Sequence, residues 1–98
     1  DTGAMYRAVT LKALRLHVNT TDEARVADVA RDIKIELRPH PDRTWILMDG
    51  EDVSHLIRTE EVSKAIAPVA RNAKVREECV RRQQELGRAG GVVMDGRD

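Results

Sequence analysis

The sequence predicts an α/β segment that is mostly helical, with a small antiparallel β insert and one further strand of parallel-core type. Three observations lead there. Apolar residues at helical spacing occupy the first third and the later half of the chain. A period of two replaces that spacing between Ile33 and Met48, and a short continuous apolar run, Val92-Val93-Met94, stands near the end.

The first helix is expected from Gly3 to about Leu16, where Met5, Val9, Leu11, Ala13 and Leu16 fall mostly on one face. A glycine before the helix leaves its first amides open, and such an end attracts anions. His17-Val18-Asn19 reads as the exit. A second helix is marked by Thr20 and Glu23, a capping box in which hydroxyl and carboxylate satisfy each other's amides. Val26, Val29, Ala30 and Ile33 then follow at i, i+3, i+4 and i+7.

Over 33–38, Ile33, Ile35 and Leu37 alternate with Lys34, Glu36 and Arg38, as in a half-buried strand. The turn-rich 39–44, with two prolines, breaks it. Trp45–Met48 resumes as a strand, and Asp49-Gly50 is a hairpin signal, with 52–54 as a third short strand. After Arg58, Thr59 can cap a helix whose Val62, Ile66 and Val69 share a face, and Pro68 is expected to end or bend it near Ala67. The last helix should run from about Asn72 to Leu86 with Val75, Cys79, Val80 and Leu86 inward. Glu77–Arg81 and Glu78–Arg82 would pair on its wet side, and Gly87, Gly90 and Gly91 would close it.

The run at 92–94 has the pattern of a strand covered on both faces, yet no other strand of that kind exists in these residues. A lone buried strand would leave its amides and carbonyls unpaired. Its neighbours are therefore expected from sequence outside this stretch or from another molecule. The opening "DTGAMYR", without an initiator Met, suggests likewise that both ends are internal.

Seventeen basic and seventeen acidic residues leave no net charge, so nothing global favours nucleic acid or an acidic membrane surface. Tyr6 and Trp45 are the only aromatic residues, too few for a base-stacking platform. Cys79 has no partner for an internal disulfide and reads as a small buried hydrophobe of a reducing compartment. No apolar run approaches the roughly 18 residues of a spanning helix.

No GxxxxGK[ST] phosphate loop starts at any of the six glycines. His17, His40, His55 and Cys79 show no zinc-ligand spacing, and no nucleophile–base pairing has a local signature. No catalytic or metal-ligating residue is thus expected within the segment. Four arginines do stand at element boundaries: Arg7, Arg58, Arg76 and Arg97. Arg suits bidentate capture of phosphate or carboxylate, although for each one alone a solvated surface residue or a helix salt bridge is the better explanation. Asp98, past the last strand, is open between a turn residue and a functional carboxylate.

Four stretches, "DTGAMYRA" at 1–8, "DGEDVSHLIRTEEVSKA" at 49–65, "VRE" at 75–77 and "GGVVMDGRD" at 90–98, together resemble the bacterial cytidylate (CMP/dCMP) kinases. They come in the family's order and cover the middle of a typical member. The resemblance implies a P-loop nucleoside monophosphate kinase fold and transfer of the ATP γ-phosphate to CMP or dCMP with Mg²⁺ in the cytoplasm. Nucleic acid and membrane are not expected partners.

By the same resemblance, 1–32 holds helices of the core and nucleotide-binding region, and 33–58 its small antiparallel insert. Residues 59–89 are nucleotide-binding helices, and 90–98 the core strand with the start of the following loop. Thr2, Arg7 and Arg97 match phosphate-side residues, and Tyr6 lies in the same motif lining the pocket. Arg76 and Asp98 match readers of the cytosine edge, while Arg58 has a supporting role. Ala67 departs from the family, which often has a Ser there. The phosphate loop and lid lie outside these 98 residues, so the segment alone is expected to be inactive. A stand-alone nucleotide- or anion-binding module and a protein-interaction domain are the alternatives.

Overall fold

A computed structural model of the chain describes residues 2–39, 41–42 and 44–88, without the side chains of residues 2, 39, 44 and 86–88. The expected strand at 92–94 lies outside the described residues.

Helix α1 (Thr2–Arg15) starts one residue earlier than the glycine signal suggested, so Gly3 is inside it. Its exit is a Schellman turn. His17 takes a left-handed φ of 58°, its amide bonds the Leu14 carbonyl at 3.1 Å, and the Val18 amide reaches Ala13 at 2.9 Å. Val18 and Ala13 are both buried, which fixes where the chain turns back.

Helix α2 (Glu23–Asp32) is capped by Asp22, not Thr20; the Asp22 carboxylate accepts from the Arg25 amide at 3.3 Å. The carboxamide oxygen of Asn19 takes the Thr21 amide at 3.0 Å and hydroxyl at 2.8 Å. That local turn precedes the helix and moves its start to Asp22. Ile33 becomes the C-cap and stays buried, so strand β1 (Ile35–Pro39) begins two residues later than the alternation implied.

Strands β1, β2 (Thr44–Met48) and β3 (Glu51–Asp52) form an antiparallel sheet in that order. Ile35 pairs with Met48 and Leu37 with Ile46, all four buried on one face. Pro39 is tolerated in the ladder because β1 is an edge strand that pairs on one side only. Asp49 (φ 51°) and Gly50 (φ 88°) make the tight two-residue hairpin turn. The third strand is centred earlier than expected. At Ser54 the ladder continues through a side chain, whose Oγ accepts from the Ile46 amide at 3.0 Å while donating to Asp52 at 2.6 Å.

A short 3-10 helix (Leu56–Arg58) precedes α3 (Glu60–Arg71), which Thr59 caps as expected. Pro68 does not end α3. It forfeits one backbone bond, yet Val62 and Val69, both fully buried, hold the helix on either side of it. Helix α4 (Ala73–Arg88) runs two residues beyond the expected Leu86, and the closing Gly90 and Gly91 lie outside the described residues. Val75 and Cys79 are buried, but Val80 is 49% exposed, contrary to expectation. The next inward position along that stripe is Arg82. Arg81 pairs with Glu78 and with Glu85 at 2.5 Å instead of with Glu77, while the expected Glu78–Arg82 pair forms at 3.5 Å.

Helix α1 packs against α2, α3, α4 and the 3-10 helix, which makes it the centre of the described region. Met5 and Val9 from α1 join Val26, Ile46, Ile57, Val62 and Val75 in one apolar cluster. Each such fully buried side chain contributes roughly 1.5–3 kcal/mol over leaving it in water.

Candidate functional site

Tyr6 and Arg7 project from the second turn of α1 towards different neighbours. Nη1 of Arg7 donates to the Ile57 carbonyl at 3.2 Å and to the Ser63 hydroxyl at 3.2 Å, which ties the guanidinium to the 3-10 helix and the first turn of α3. Tyr6 is half-buried, and its phenol lies close enough to Arg76 of α4 to feel that charge. Burial pushes the phenol pKa up and the Arg76 charge opposes that, so the phenol stays neutral at physiological pH.

Arg76 is placed by the start of α4. Asn72, 2% exposed, accepts the Lys74 and Val75 amides at 3.1 and 3.4 Å, and its own amide group donates to the Glu23 carbonyl at 3.0 Å. Its carbonyl takes the Arg76 amide at 3.0 Å. One buried residue thus caps α4 and holds α2 through its side chain and closes α3 through its backbone amide. Beyond it, Ala73, Arg76, Glu77, Val80, Arg81 and Gln84 line an open groove of about 470 Å³ along α4.

The sequence-predicted residues therefore fall into three groups. Tyr6, Arg7 and Arg76 stand on the packed helices α1 and α4, with the Arg76 charge acting on the Tyr6 phenol and Arg7 tied to α3. Arg58 is exposed at the end of the 3-10 helix and bonds neither Arg7 nor Arg76 among the described residues. Thr2 starts α1 with its side chain outside the described set, and Arg97 and Asp98 lie outside it altogether.

Sequence reasoning missed Ser63, Asn72 and Arg82. Ser63 carried no signal, being a small polar residue among the charged ones on a wet helix face. Arg82 did carry one: it stands seven residues after Val75 on the apolar stripe, where a charge is out of place unless partnered. It is partnered. Nη2 donates to the carbonyls of Ala30 at 2.9 Å, Arg31 at 3.2 Å and Ile33, at the C-terminal end of α2. Nε lies 3.5 Å from Glu78 as an ion pair without hydrogen-bond geometry.

A family model described as cytidylate kinase matches residues 1–98. The chain belongs to the cytidylate kinase family. It is 50% identical over 98 residues to the cytidylate kinase of Bacillus velezensis, 49% to that of Bacillus subtilis and 50% to that of Geobacillus kaustophilus. Each match covers 100% of this chain but 44% of the relative. The chain thus spans less than half the length of the cytidylate kinases it matches. Among the described residues no group of His, Cys, Asp or Glu is placed to hold a metal ion, and no helix is long and apolar enough to cross a membrane.

Proposed function

We propose that this chain forms the acceptor-nucleotide half of a kinase that moves the γ-phosphate of ATP onto CMP or dCMP, giving CDP or dCDP. The observation that carries the reading is the proximity of Tyr6 on α1 to Arg76 on α4, with the phosphate-type Arg7 next to Tyr6 in the same helix. A nucleotide bound beside them would meet a cationic group at either end. The names of the relatives support the same substrate.

In this reading Arg7, Arg97 and the start of α1 at Thr2 hold the acceptor phosphate, while Tyr6 lines the pocket and steadies Arg76. Arg76 donates to the ring carbonyl or N3 of cytosine, and Asp98 accepts from the exocyclic amine. Uracil would set a carbonyl against that carboxylate and leave it unpaired, which is how a polar site rejects a near-isostere. Ala67, exposed on α3, offers no hydrogen bond to the base. The sheet over 33–58 belongs to the nucleotide-binding region, and a P-loop core with its lid completes the site from the rest of the protein. ATP with Mg²⁺ would supply the phosphoryl group and charge neutralisation.

Calorimetry of CMP and UMP on the full-length protein tests this. CMP should bind at least about tenfold more tightly, the size expected for one unpaired buried polar group. Equal affinities would remove the base-reading roles of Arg76 and Asp98.

A further inference from the structure

We propose that Ser63 is a positioning residue for Arg7, its hydroxyl fixing which edge of the guanidinium is presented to an acceptor phosphate. This rests on the reading of Arg7 as a phosphate ligand. A guanidinium carries five N–H groups in a rigid plane and can grip an oxyanion by more than one of its edges. Both recorded bonds of Arg7 leave from Nη1, to the Ile57 carbonyl and to the Ser63 Oγ, each at 3.2 Å. Two acceptors saturate that nitrogen. What remains is the Nε–Nη2 edge, whose two N–H groups run parallel and match two oxygens of a phosphate.

The two anchors are themselves fixed. Ile57 is fully buried and its amide bonds the Val53 carbonyl at 3.0 Å. Ser63 sits one turn into α3, its amide bonded to the carbonyl of the capping Thr59 at 3.0 Å. With the carbonyl alone, the head of Arg7 could swivel about one bond. The second acceptor stops that rotation, and a long side chain held before ligand arrives loses less freedom on binding. Ser63 is exposed, so removing its oxygen leaves the core untouched.

The test is calorimetry and steady-state kinetics on the full-length protein with Ser63→Ala, Ser63→Thr, Arg7→Ala and the Arg7→Ala/Ser63→Ala pair, using CMP and cytidine. Ser63→Ala should weaken CMP on the order of five- to tenfold, the net worth of one ordinary exposed hydrogen bond. KM for CMP should rise in step, with cytidine affinity and Tm unchanged. Ser63→Thr should restore CMP binding, and Ser63→Ala should add nothing once Arg7 is gone. CMP affinity unchanged in Ser63→Ala, an equal loss for cytidine, or a full effect without Arg7 would each overturn the proposal. Wild-type protein binding CMP no better than cytidine would instead remove the phosphate role of Arg7, and this proposal with it.

Discussion

The ammonium of Lys12 stands 2.7 Å from the carboxylate of Asp49, joining the last turn of α1 to the tip of the β2–β3 hairpin. Asp49 also accepts the Lys34 amide at 2.9 Å, and beside it Arg15 grips Glu51 through two bonds of 2.6 and 3.0 Å. The helix that bears Tyr6 and Arg7 is thereby clasped to the sheet at its other end.

The Lys12 hydrogen bond, with the Lys34 amide, holds the Asp49 carboxyl below its ordinary range. A depressed acid stabilises the fold above its unfolded pKa, near 3.9, and that contribution is lost as pH falls through the lower folded value. Asp49→Asn keeps a residue that tolerates φ 51° and removes only the charge. Both side chains of the pair are about a third exposed, so screening limits the loss at pH 7 to about 1 kcal/mol or less. Urea titrations between pH 2 and 7 should show a shallower acid limb in the variant. An unchanged acid slope would contradict the assignment.

Arg82 supplies a second prediction. Replacing it with Met keeps much of the stem but leaves the carbonyls of Ala30, Arg31 and Ile33 without their donor. A loss of roughly 2–4 kcal/mol in urea unfolding is expected, since the bonds to Ala30 and Ile33 are partly buried and a charged donor is removed. Lys, a point charge without a fork, should recover less than half of it. A Met variant as stable as the wild type would refute the capping role.

These elements show what local pattern can and cannot reveal. The alternation of Ile35 and Leu37, the Asp49-Gly50 turn and the Thr59 cap are decided by neighbours in sequence, and all three were readable. Pro68 reads locally as a helix end, but Val62 and Val69 anchor α3 through tertiary packing that local propensity does not see. Val80 is apolar yet out of phase with the buried stripe, and phase decides its exposure. The stripe of Val75 and Cys79 continues to Arg82, whose partners lie about fifty residues away on α2. In the candidate site, Arg7 and Arg76 were legible as residue types within motifs. Their supports, Ser63 and Asn72, were not, since a hydroxyl or amide has meaning only beside what it touches.

Cys79 gives a third prediction. It is 2% exposed, and burial pushes its thiol up to about 11. The thiolate fraction at pH 8 is then small and shielded, so a disulfide reagent should react far more slowly with native protein than with urea-unfolded protein. Equal rates would mean that α4 opens readily where it covers the thiol.

The most direct test of the account is a crystal structure of the full-length protein with CMP. It should show the Arg7 guanidinium within hydrogen-bonding distance of the phosphate, and Arg76 at the cytosine edge on the opposite side of the ligand. A nucleotide bound away from the face shared by α1 and α4, with neither arginine in contact, would contradict it.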